Sequence, residues 1–133
     1  MHPYIHFQGN CAEAMEYYRT VLGGTDLQMM RYSDSPPQPG HPPISSDRIM
    51  HSQMTCMGGV LMASDYPPGV EGAPQGAVSI MLAPATVAEG RRIFDALKGG
   101  GVMVDYGPTF FSKGFGMMTD QFGTHWIIGA AGE

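Results

Sequence analysis

At 133 residues the chain can form one compact unit, or two very small modules sharing a core, but not two independent domains, since about 65 residues bury too little surface to be stable alone. A hydrophobic share of 43% against 14% charged residues excludes a disordered chain. A formal net charge of -5 without any Lys/Arg cluster argues against nucleic acid or an anionic membrane as partner, and the lack of an 18-residue apolar run or an N-terminal charged-then-apolar leader makes a soluble, cytoplasmic protein the expectation.

In chain order, Tyr4 to Phe7 reads as a strand, and Cys11 to Leu22 as a helix whose Ala14, Tyr18, Val21 and Leu22 recur on one face. Strand-like segments follow at Asp26 to Tyr32, Arg48 to Cys56 and Val60 to Ser64, the last two joined by a hairpin turn at Met57-Gly58-Gly59. Between them, residues 35–43 carry five prolines and cannot be helix or central strand; such a loop is either a lid over a binding site or a disordered excursion. Asp65 to Gly76 reads as a linker. The second half then gives a strand at Val78 to Ala83, a helix at Val87 to Lys98, and strands at Val102 to Tyr106, Gly116 to Thr119 and Thr124 to Ile128, the last two joined across Asp120-Gln121-Phe122-Gly123.

The two halves repeat. Asn10 through Gly24 aligns without a gap on Thr86 through Gly100, 76 positions later. Each copy offers an N-cap residue, Asn10 or Thr86, with a Glu three places on for a capping box, and a Gly 13 places on, Gly23 or Gly99, as the left-handed helix end. The expected fold is therefore α+β: two βαβββ modules, about 1–66 and 77–130, forming a curved mixed sheet with a cleft where function would reside. Cys11 and Cys56 lack a CxxC spacing and should be reduced; Cys11, in a first helical turn, is either a thiol activated by the helix dipole or a small buried hydrophobe.

This doubled pattern resembles the vicinal oxygen chelate (glyoxalase/bleomycin resistance/dioxygenase) superfamily. Pro3 through Cys11, Ala63-Ser64-Asp65, Val87 through Phe94, Thr109 through Gly116 and Thr119 through Trp126 are similar to its PhnB-like branch. The resemblance implies a homodimer and a cleft that in many relatives holds a divalent metal. Carried over, the metal positions fall at His2, Pro3 or Tyr4, near Met62, within Ala77 to Ser79, and near Ile127. The last three supply neither carboxylate nor imidazole, so the usual metal set is incomplete and no resident cofactor is expected.

The candidate ligand-binding residues are Tyr4, His6, His51, Met62, Phe111 and Trp126. Tyr4, Phe111 and Trp126, with Phe110, can stack on a planar ligand or fill a core. His6 and His51 either line a pocket or, with His2, form an unconventional metal cluster; His41 and His125 are expected to be exposed. Twelve methionines, many on strands, suit either adaptable ligand contact or core filling. Asp65 and Asp120 read as turn or cap residues, and Arg31, Arg48 and Lys113 are cations for an anionic head group if they point inward. The functional expectation is binding of a small organic molecule; the alternative is a metal-dependent lyase, isomerase or dioxygenase. A methyltransferase activity is disfavoured, because Gly99-Gly100-Gly101 follows a helix and precedes a strand, the reverse of a nucleotide-cradling loop.

Overall fold

The computed structural model describes residues 1–36, 39–40 and 44–133. It divides into two units, residues 1–73 and 74–133. In the first, β1 (Tyr4–Phe7), α1 (Cys11–Leu22), β2 (Thr25–Arg31), β3 (Ile49–Cys56) and β4 (Gly59–Asp65) form a sheet of order β1-β4-β3-β2. The second repeats this with β5 (Ile80–Leu82), α2 (Val87–Leu97), β6 (Gly101–Gly107), β7 (Phe115–Thr119) and β8 (His125–Gly129), in the order β5-β8-β7-β6. In both, the first strand pairs parallel with the last and the other pairings are antiparallel. The fold is thus α+β, with two βαβββ modules as expected. Of the proline-rich stretch read as lid or excursion, Pro37, Gln38, His41, Pro42 and Pro43 lie outside the described residues, and so does the expected exposure of His41. Among the described residues no helix is long and apolar enough to cross a membrane.

Each helix packs one apolar stripe on its own sheet. Cys11, Ala14, Met15, Tyr18, Val21 and Leu22 of α1 are buried, as are Ile5, Phe7, Met54, Leu61 and Ala63. In the second unit Ile93, Phe94 and Leu97 of α2 are buried together with Leu82, Met118, Trp126 and Ile128. Each large apolar side chain so buried contributes about 1.5–3 kcal/mol. The helix-surface ion pairs, Arg19–Glu16, Arg92–Glu89, Arg91–Asp95 and Lys98–Asp95, are half exposed and screened by water, so the apolar stripe and not the charge pattern holds each helix.

The β3–β4 hairpin closes as the sequence indicates. Met57 (φ 50°) and Gly58 (φ 76°) make the two-residue loop between paired Cys56 and Gly59, the geometry of a type I′ turn. Asp120 organises the β7–β8 connection: its Oδ1 accepts from the backbone N–H of Phe122 and Thr124, and its Oδ2 from the Trp126 indole at 2.7 Å.

Three features of the repeat depart from the local pattern. Thr86 caps α2 by accepting from Glu89 N–H at 3.1 Å, but the Asn10 side chain makes no cap bond. Its place is taken from across the sheet by Asp65, whose Oδ1 accepts from Gly9 N (2.8 Å) and Cys11 N (3.0 Å). Gly23 ends α1 in the left-handed region (φ 66°), whereas Gly99 does not end α2 so. The chain instead tightens into a 3-10 turn at Lys98–Gly100 and takes its positive φ at Gly101 (133°), and Gly100 lies so close to Asp120 that any Cβ would overlap the Asp120 carbonyl. Finally, β5 spans only Ile80–Leu82, with Val78 75% exposed outside the ladder, and four residues join it to α2 where three join β1 to α1. That extra residue shifts the strand's phase: Tyr4 pairs with Met62 on the face away from α1, while Ile80, 76 positions on, pairs with the buried Trp126.

Thr86→Ala should destabilise the protein by about 1 kcal/mol and Asn10→Ala by less than about 0.5 kcal/mol in urea denaturation, an asymmetry that equal capping boxes would not give. Asp65 accepts a third backbone N–H, from Ile49 at 2.8 Å, so Asp65→Ala should cost about 3 kcal/mol or more by the same measurement.

Candidate functional site

Residues in register on adjacent strands share a face, and the face of the first sheet turned away from α1 carries two rows of side chains. One row is Tyr4, Met62, Gln53 and Gln28, paired strand to strand. The other begins with His6 paired to Ser64 and ends with His51 paired to Met30; the Ser52–Ala63 pairing next to it sets His51 beside Ser64. The alternate positions, Ile5, Ala63 and Ser52, point to the helix and are buried. Four of the six candidate residues, Tyr4, His6, His51 and Met62, therefore stand together.

Polar and ring contacts knit this face. The Tyr4 hydroxyl lies 3.0 Å from His51 Nδ1, and His51 Nε2 lies 2.9 Å from Gln53 Oε1. His6 Nδ1 is 3.4 Å from Ser64 Oγ. The Tyr4 ring centre is 5.2 Å from that of His6 and 5.6 Å from that of His51, and Tyr66 stacks on His6 at 5.2 Å and 27°. Gly72 approaches Tyr66 so closely that a Cβ there would overlap the ring. Gln53 and Tyr66 were not singled out from the sequence, although Gln53 follows His51 at strand period; Tyr66 was hidden in what reads as a linker.

The remaining candidates belong to the second unit. Trp126 is not a ligand-facing aromatic: it is 1% exposed, on the α2 side of the sheet, with its indole N–H bound by Asp120. Phe111 is 60% exposed and meets Phe110 and Phe115 edge to face. On the helix-free face there Met81, Ile127 and Met117 stand in register, next to the paired Thr119 and His125. The methionines divide between core and open face: Met15, Met54 and Met118 are buried, while Met30, Met62, Met81 and Met117 lie on helix-free faces. His125 is half buried with Nδ1 3.1 Å from Thr119 Oγ1, because Thr119 pairs with it across the strands, and not exposed as expected.

Two of the three cations expected at an anionic head group, Arg48 and Lys113, are otherwise engaged. Arg48 donates to the backbone carbonyls of Tyr66 (3.0 Å) and Gln8 (3.4 Å), and Lys113 pairs with Glu133. The metal positions of the resembled superfamily were tested by their donors: Met62 beside Tyr4 offers a thioether and a phenol, and Ile127 offers nothing, so the set does not fit Zn²⁺ or Ni²⁺. Among the described residues no group of three His, Cys, Asp or Glu side chains is arranged to hold a metal.

Known proteins share this chain's sequence along nearly its whole length. The family model described as 3-demethylubiquinone-9 3-methyltransferase matches residues 1–129. Protein YjdN of Escherichia coli (strain K12) is 31% identical over 135 residues, covering 95% of this chain and 91% of YjdN. The crystal structure of protein PA1353 from Pseudomonas aeruginosa is 38% identical with a TM-score of 0.85, covering 100% of this chain and 98% of that one. A PhnB protein from Bacillus cereus shares the fold at 23% identity and a TM-score of 0.75, over 98% of both chains.

Cys11 lies at the start of α1 beneath the site, fully buried, with its Sγ 3.5 Å from Ser52 Oγ. Burial pushes its thiol up to about 12; the bond to Ser52 favours the thiolate but is the smaller effect, and the nearby Asp65 carboxylate adds to the rise. Of the two readings, the small buried hydrophobe holds. An unfolded thiol ionises near pH 9.0 and the folded one near 12, so the protonated thiol's contribution to stability is complete below about pH 9 and is lost progressively as pH rises to about 12. Cys11 should resist alkylation at pH 8 until the protein unfolds, and Cys11→Ala should flatten the alkaline fall in stability over that window.

Proposed function

We propose, from the premise that this chain belongs to the PhnB-like family described as 3-demethylubiquinone-9 3-methyltransferase, that it binds a small organic molecule on the helix-free face of its first sheet and holds no resident metal there. The observation that carries this reading is the gathering of Tyr4, His6, His51 and Met62 on that face. Tyr4, 42% exposed, offers a ring with His6 and His51 within 5.6 Å of it, an arrangement that favours planar partners. Met62 and Met30 supply thioethers that adjust to varied apolar outlines, and Gln53 and Gln28 supply amides for orientation. The family's description names a methyl transfer, but the triple glycine here follows α2, and Gly100 is pressed against a carbonyl instead of framing a phosphate.

Equilibrium dialysis against a panel of planar aromatic and glycopeptide compounds should find binding below millimolar concentration, weakened about fivefold or more in Tyr4→Ala. Elemental analysis of protein purified without a histidine tag or chelator should find no stoichiometric metal. No binding across the panel would overturn the proposed ligand site. Stoichiometric metal lost on substituting His2, His6 and His51 together would replace this reading with a metal-dependent lyase, isomerase or dioxygenase.

A further inference from the structure

Building on the proposed ligand face, we infer that Tyr4, His51 and Gln53 form a directed hydrogen-bond chain that makes the site select planar ligands carrying an O–H or N–H donor. The direction follows from the inner end of the chain. Gln53 Oε1 can only accept, so its 2.9 Å contact places the ring proton of His51 on Nε2. A neutral imidazole carries one ring proton, which leaves Nδ1 as an acceptor. The Tyr4 hydroxyl, 3.0 Å from Nδ1, therefore donates inward. Its oxygen is left with lone pairs and no proton to offer a ligand.

The surroundings keep this arrangement. His51 and Gln53 are neighbours on one face of β3, at strand period, so the chain is held by regular backbone and not by a loop. Ring packing holds Tyr4 beside His6, whose Nδ1 faces Ser64 Oγ and whose other side stacks on Tyr66. A phenol or azole lying against these rings can donate to Tyr4. An ether of the same shape leaves the Tyr4 oxygen unpaired or displaces its water, and the site discriminates by that difference.

The test uses the intact protein at pH 8, with phenol and its methyl ether anisole as matched probes followed by NMR. Nitrogen-15 shifts of His51 should show Nε2 protonated and Nδ1 bare. Phenol should bind about fivefold more tightly than anisole and shift the signals of Tyr4, His51 and Met62. That preference should vanish in Tyr4→Phe, and in Gln53→Met it should fall while anisole affinity is kept. The opposite His51 tautomer, or equal binding of the two probes, overturns the directed chain and leaves the ligand face standing. Failure of both probes to shift any residue of the face overturns the two readings together. If either variant fails to fold, the tautomer and the two-probe comparison in the unsubstituted protein still decide.

Discussion

The first unit is tied together at one buried carboxylate. Asp65, 2% exposed at the end of β4, accepts the N–H groups of Gly9, Cys11 and Ile49, while its own carbonyl accepts from the Tyr32 hydroxyl at 2.9 Å. These bonds reach the turn into α1, the start of β3 and the segment following β2 from a single residue. Taking a carboxylate out of water is costly unless its lone pairs are met, and here backbone donors that would otherwise be orphans meet them. The connection between β1 and α1 is thereby fixed, and with it the phase that turns Tyr4 and His6 away from the helix.

The second unit solves the same problem elsewhere. Asp120 sits at the opposite end of its sheet, in the β7–β8 connection, and gathers two backbone N–H groups and an indole. At the position matching Asp65, where β8 pairs with Leu82, stands Ile128. Both sheets bury an apolar helix-facing side; their other sides differ, with phenol, imidazole and amide groups in the first and, in the second, thioether and aliphatic groups beside the single Thr119–His125 pair. Side chains able to hydrogen-bond are accordingly more numerous on the open face of the first sheet, even though both units share one architecture.

What was legible in the chain was what short-range rules govern. β1 and α1 were read to the residue, the Met57-Gly58 turn is encoded in its own sequence, and Thr86 caps its own helix. What was not legible depends on residues far apart. Asn10 resembles Thr86 locally but loses its role to a carboxylate 55 positions away, and the positive φ expected at Gly99 falls instead at Gly101, after a 3-10 turn packed against Asp120. Of the site, the strand positions of Tyr4, His6, His51 and Met62 were recoverable, whereas the facing of Trp126 depends on which side of β8 packs on α2 and on Asp120 accepting its indole N–H.

The four-residue connection ahead of α2 has a further meaning for how duplicated chains diverge. With one residue more than its counterpart, it rotates every side chain of the preceding strand through half a turn relative to the helix, so the position matching His6 becomes Met81 and not Leu82. A single insertion can thus exchange the wardrobe a sheet shows to the outside with the one it keeps within. Half of a doubled protein can change its chemistry this way before any of its strand residues is substituted.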